Sequence, residues 1–186
     1  ILRNFIDELH CTVTLIHGRP SYAAIFALLN ELYPDLHIIL ANGDIYFNDT
    51  LKKLSTVHCL EKAFFALTRW NVQNDYHTLR LEGFGPHTPN YWSADTWIFK
   101  TPITLFVNAD HILMGSERCD HKLAYAAKHA GYKVMNPCLS IQTCHLHMSQ
   151  IRHYLEEKVA TSEDLQSACI PWSYLEGFEE DWFQYK

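Results

Sequence analysis

The apolar positions fall into short runs that switch between two spacings. "CTVTLIHG" (11–18) is β-branched, apolar and closed by Gly18, the pattern of a strand. "SYAAIFALLNEL" (21–32) has apolar residues at 25, 28, 29 and 32 behind Pro20 and Ser21, a helix that Pro34 ends. "HIIL" (37–40) is the next strand. "DTLKKLSTVHCL" (49–60) reads as a helix with Asp49 or Thr50 as N-cap. "AFFALTRW" (63–70) is a buried strand, "HTLRLEG" (77–83) a strand or loop edge, and "TWIFKT" (96–101) a short strand closed by Pro102. "CDHKLAYAAKHAG" (119–131) is the clearest helix, with Asp120 near its start and Gly131 as its stop. "YKVMNP" (132–137) and "LSIQTCHLH" (139–147) read as short strands, and "MSQIRHYLEEKVA" (148–160) as a final helix.

Strand, helix, strand, helix over the first 60 residues implies parallel βαβ units with right-handed crossovers. The expected fold is therefore α/β, with a mostly parallel central sheet flanked by helices. In such a sheet, ligands bind beyond the C-terminal ends of the strands. The 186 residues suit one domain, spanning 1–160. The acidic, aromatic-rich tail, 161–186, packs on or beside it.

Composition narrows the partners. Apolar residues make up 48% and charged residues 19%, a globular balance. The net charge of -6 and the lack of a basic stripe argue against nucleic acid. Six cysteines without a CxxC pair read as reduced thiols in a cytoplasmic setting. No apolar run reaches the roughly 18–20 residues that span a bilayer. The start at Ile1 rather than Met is what a piece of a larger protein would show.

Five stretches carry candidate chemistry. Asp44, in "ANGD", is a carboxylate at a strand tip beside Gly43, suited to Mg²⁺ or Mn²⁺; equally, "NGD" is a tight turn with positive φ at Asn and Gly. His145 and His147 point to one face if "CHLH" is a strand, and either can ligate a metal; otherwise they are polar residues at a strand end. Asp120 is either a general base or an acid favoured by the helix dipole. Asp95, between Trp92 and Trp97 with Lys100 nearby, fits a sugar-ring contact, or a turn into a strand whose Trp97 and Phe99 are core. Arg19, ahead of a helix, is placed to face a diphosphate or is a solvated loop residue.

In order, "LANGDIYFNDTL", "FFALTRW", "SADTWIFKTPI", "GSERCDHKLAYAAKHAGYKVMNP" and "IQTCHLHMSQIRHY" resemble the compact GT-A-type glycosyltransferases of bacteria and large viruses, over roughly residues 11–155. The resemblance implies a Rossmann-like GT-A fold and transfer of a sugar from a nucleotide-diphosphate donor to a glycan or other hydroxyl acceptor, with inversion. It matches Asn42-Gly43-Asp44 to the DxD motif, so that Asp44 binds Mn²⁺ or Mg²⁺ and Asn42 is a departure that carries no charge. It matches Asp120 to the acceptor base, His145 or His147 to the metal-completing histidine, and Asp95 to a donor-sugar or acceptor contact. The strand that opens such a fold falls in 11–18 or upstream of Ile1. Two other readings compete: a metal-dependent hydrolase of nucleotide-type substrates, and a degenerate domain that binds nucleotide or glycan without turnover.

Overall fold

The computed structural model of the chain describes residues 11–57, 61–73, 77–83, 93–104, 109–116, 118–146 and 170–175. The strands are β1 (His37–Ala41), β2 (Ile45–Phe47), β3 (Ala63–Leu67), β4 (Arg69–Val72), β5 (Leu79–Leu81), β6 (Thr96–Lys100), β7 (Lys133–Met135) and β8 (Thr143–His145). They form two four-stranded sheets, in the orders β1-β6-β3-β7 and β2-β8-β4-β5. The α-helices among the described residues are α1 (Tyr22–Leu32) and α2 (Cys119–His129).

The expected mostly parallel, Rossmann-like sheet flanked by helices is overturned. β6 lies antiparallel between β1 and β3, with Ile98 opposite both Ile39 and Phe65. The two strands that a βαβ unit would set side by side are thus kept apart. Among the strands of the described residues, only β3–β7 and β4–β8 pair in parallel; the other four pairings are antiparallel. The cause of the misreading is physical. A strand covered on both faces reads as a continuous apolar run, whatever the direction of its neighbours.

Coverage of the first sheet is two-sided but uneven. Phe64, Ala66, Trp97 and Phe99 face α1 and α2, packing with Tyr22, Phe26, Leu123 and Ala127. Phe65, Leu67 and Ile98 face the other way, against Val57, Cys138, Ile141 and Leu175. This second face carries no α-helix among the described residues. The segment expected as a helix over 49–60 is a 3-10 helix, Asp49–Thr56, capped by Asn48 rather than Asp49 or Thr50. Its Leu51 and Leu54 pack against that face. α1 begins as expected: Ser21 Oγ accepts the N–H of Ala24 at 3.2 Å.

Other boundaries move. The stretch 11–20 forms no strand, and Leu15 is 90% exposed. The run 63–70 is two strands broken at Thr68, one in each sheet. Only Thr143–His145 of the expected strand 139–147 pairs, after a turn at 138–140. The expected helix at 148–160 and most of the tail lie outside the described residues. Residues 170–175 are an exception. Trp172 bridges Asn136, and Leu175 N–H donates to Ser140 Oγ at 3.0 Å.

Asn136 locks the crossing between the sheets. Its Oδ1 accepts the N–H of Thr68 at 3.0 Å, and its Nδ2 donates to Thr68 Oγ1 at 2.9 Å. The break in the strand would otherwise leave these buried groups unpaired, at a cost of about 1–3 kcal/mol each.

Candidate active site

Where the two sheets meet, seven residues close a ring. Asn42 follows β1, and its Nδ2 donates to Asp95 Oδ1 at 2.7 Å. Asp95 Oδ2 accepts from Arg69 Nη1 at 2.8 Å. Arg69 Nη2 reaches Glu82 Oε1 at 3.5 Å. Asn71 Nδ2 donates to the other oxygen of Glu82. Asn71 Oδ1 meets His145 Nδ1 at 2.9 Å, and His145 Nε2 meets Asp44 Oδ2 at 3.1 Å. Gly43 joins Asp44 back to Asn42.

Each side chain has a structural reason for its place. The N–H of Asn42 donates to Asp95 O at 3.0 Å, which sets the tip of β1 beside the start of β6. The parallel register of β4 and β8 puts Asn71 opposite His145. The antiparallel register of β2 and β8 puts Ile45, next to Asp44, opposite His145 as well. The expected tight turn at "NGD" forms, with the N–H of Ile45 donating to Asn42 O at 3.2 Å, but neither Asn42 nor Gly43 has a positive φ. A Cβ at Gly43 would meet nothing within 4 Å, so the strand tip is open above.

The electrostatics are those of a charge-paired pocket. Arg69 is 8% exposed. Burial works against its charge, but Asp95 and Glu82 more than offset this and raise its pKa. Burial, then Arg69, push His145 below its ordinary value, against the pull of Asp44. Three carboxylates against one guanidinium leave two negative charges uncompensated in the ring.

Hydrogen-bond logic assigns the His145 tautomer. Glu82 accepts from the Asn71 amide nitrogen, so Asn71 presents its oxygen to His145. Only an Nδ1–H satisfies that oxygen. The ring then meets the Asp44 carboxylate with an Nε2 lone pair when it is neutral, two electron-pair donors converging, and donates to Asp44 when it is protonated. A metal-binding histidine is commonly held this way, its second nitrogen donating to a carbonyl-type oxygen. Asp44 and His145 therefore fit a divalent cation. No group of three or more His, Cys, Asp or Glu poised for a metal forms among the described residues. His147 lies outside them.

A cleft adjoins the ring on the helix side, lined by Thr68, Ser93, Ala94, Asp120, His121 and Asn136. Ser93 connects the two: its Oγ donates to Asp95 Oδ2 at 3.3 Å, and its φ of 50° is left-handed. Asp120 Oδ2 accepts the N–H of Ala94 at 3.0 Å. Burial opposes its charge, but contact with His121 and the N–H of Ala94 prevail and lower its pKa.

The fold thus brings together Asn42, Asp44, Asp95 and His145, and bonds Asp120 to the N–H of Ala94, the residue before Asp95. Arg19 stands apart, its Nη1 donating to Gly115 O at 2.9 Å. Trp97 is no sugar platform. It is 1% exposed and packs edge-on against Tyr22 at 5.3 Å. Lys100 sits at the far end of β6, paired with Glu61. Trp92 lies outside the described residues. Sequence reasoning missed Arg69, Asn71, Glu82 and His121. Arg69 alone carried a signal: a charge inside the apolar run "AFFALTRW".

No family model matches the chain, and neither a curated protein nor a solved structure does.

Proposed function

We propose that the protein is a glycosyltransferase that moves a sugar from a nucleotide-diphosphate donor to a hydroxyl acceptor, with inversion and with a divalent cation, Mn²⁺ or Mg²⁺, at Asp44 and His145. The observation that supports it most is the convergence of the His145 Nε2 lone pair and the Asp44 carboxylate, with two negative charges uncompensated around them. A cation of this class takes one or two protein ligands and fills its other positions with phosphate oxygens and water. When bound, it would stabilise charge on the leaving diphosphate as a Lewis acid.

The chain's own residues divide the remaining work. Asn71 and Glu82 hold the His145 ring in one tautomer. Asn42 spends its amide nitrogen on Asp95, which explains an Asn where the resemblance has an Asp: a carboxylate at 42 would face another carboxylate at 2.7 Å. Arg69 balances the buried Asp95 and Glu82. The cleft that holds Asp120, across Ala94, is the acid–base end, where the acceptor's proton leaves.

Calorimetric titration with UDP and with GDP, each with and without Mn²⁺, tests the reading. Binding that requires Mn²⁺ and prefers one base is the expected result. Failure to bind either nucleotide would overturn it.

The chain's location stays a coarser matter. Among the described residues no helix is long and apolar enough to cross a membrane.

A further inference from the structure

We propose that His121, seated against Asp120, takes the proton from the acceptor hydroxyl, so that Asp120 is a positioning residue and not the base. This rests on the transferase reading above and names the acid–base group within it.

The geometry of Asp120 is that of a committed carboxylate. One oxygen accepts the N–H of Ala94 at 3.0 Å, and the other faces His121 Nδ1 at 3.3 Å. The second contact is an ion-pair approach rather than a straight hydrogen bond, since His121 Nδ1 has no hydrogen bond of good geometry. That nitrogen is sealed from solvent, while the side chain as a whole is 23% exposed and lines the cleft. With Nδ1 sealed, Nε2 is the imidazole nitrogen left for a visitor to reach. The cleft has about 20 Å³ of space for water-sized groups. That admits one water or one hydroxyl, not a sugar ring. Its other polar walls are occupied: Asn136 Nδ2 donates to Thr68 Oγ1, and Ser93 Oγ donates to Asp95.

Basicity agrees with this division. Asp120 is held below its ordinary value and is a poor proton acceptor near neutrality. The Asp120 contact, against burial and Arg118, raises His121. The other titratable neighbours of Asp120 are Tyr22 on α1 and Cys119, both pushed up by burial and so uncharged. An imidazole backed by a carboxylate is a standard general-base arrangement.

In the step, the acceptor oxygen forms its bond to the anomeric carbon. The bond from that carbon to the diphosphate oxygen breaks, and its electron pair leaves with the nucleoside diphosphate. The acceptor's hydroxyl proton passes to His121 Nε2, and Asp120 holds the resulting imidazolium.

Two measurements on the full chain test it. Long-range ¹H–¹⁵N spectra of the wild type should show His121 protonated at Nδ1, and Asp120→Asn should lower its titration midpoint. An Nε2–H tautomer, or a midpoint that ignores Asp120→Asn, would overturn the pairing. Hydrolysis of UDP-glucose and GDP-mannose with Mn²⁺, water standing in as acceptor, reads the chemistry. Wild-type turnover should fall as His121 protonates on the acid side. His121→Gln should lose about 10²–10⁴-fold in kcat with unchanged Mn²⁺-dependent UDP or GDP binding. Binding retained with normal turnover in His121→Gln sinks this inference alone, and wild-type binding without turnover sinks it too. Loss of metal-dependent binding in the wild type sinks the transferase reading instead.

Discussion

Asp44 Oδ2 stands 3.1 Å from His145 Nε2, although the two residues are 101 positions apart in the chain. The tip of β1 and the end of β8 meet there only because β2 pairs with β8. Asp44→Ala and His145→Ala are each expected to remove Mn²⁺-dependent nucleotide binding while the protein stays folded. Asn71→Leu, which touches only the far nitrogen of the ring, should weaken it about 10–100-fold. Calorimetry with UDP or GDP, beside a circular-dichroism melt, reads both. Unchanged Mn²⁺ dependence in all three variants would remove the pair from the site.

Arg69 has no substitute in its position. Arg69→Met would leave Asp95 and Glu82 facing each other without a counter-charge, at an expected cost of about 3–5 kcal/mol. Arg69→Lys should recover only part, because an ammonium cannot fork to two carboxylates. Urea midpoints of the three proteins give the comparison. A Met variant as stable as wild type would show that Arg69 does not balance the ring.

Asn42→Asp would turn the site into the DxD form and is expected to harm it. Two carboxylates at that distance share a proton, so the pair's upper pKa rises above its unfolded value. A raised carboxyl contributes stability below the unfolded pKa and loses it as pH rises through the folded one. The deficit against wild type should therefore be largest near pH 7 and shrink below about pH 4. Denaturation at both pH values measures it, and a deficit that does not change with pH contradicts the argument.

The Asp120–His121 pair should show a stability window. Asp120, depressed, contributes above its ordinary 3.8 and is lost as pH falls through its lower folded value. His121, raised, contributes below its ordinary 6.5 and is lost as pH rises through its higher folded value. The stability difference between wild type and His121→Gln should peak between those two limits, at about 1 kcal/mol. Urea midpoints from pH 3 to 9 trace it, and a flat difference would mean that the two groups do not interact.

The residues singled out in the sequence met with different outcomes in the fold. Asn42, Asp44, Asp95 and His145 were recognisable because polar residues at the ends of apolar runs are unusual, and they do converge. Arg69, Asn71 and Glu82 were not, because their partners lie up to 74 residues away and sit across a sheet junction that no local spacing encodes. Strand direction was lost in the same way. "TWIFK" looks the same whether it runs with β1 and β3 or against them. The break at Thr68 was also invisible: "FFALTRW" reads as one run, and the switch between sheets is held by Asn136, a residue from far along the chain.

That break has a mechanical consequence. Ala66 borders the cleft before Thr68, and Asn71 steadies His145 after it. From Ala66 to Asn71 is five steps of chain, at most about 16 Å, and they act as a gauge bar between the cleft and the ring. Cleft and ring are joined by one short piece of chain that changes sheets at Thr68. Adding or deleting a residue here would change the bite of the whole tool.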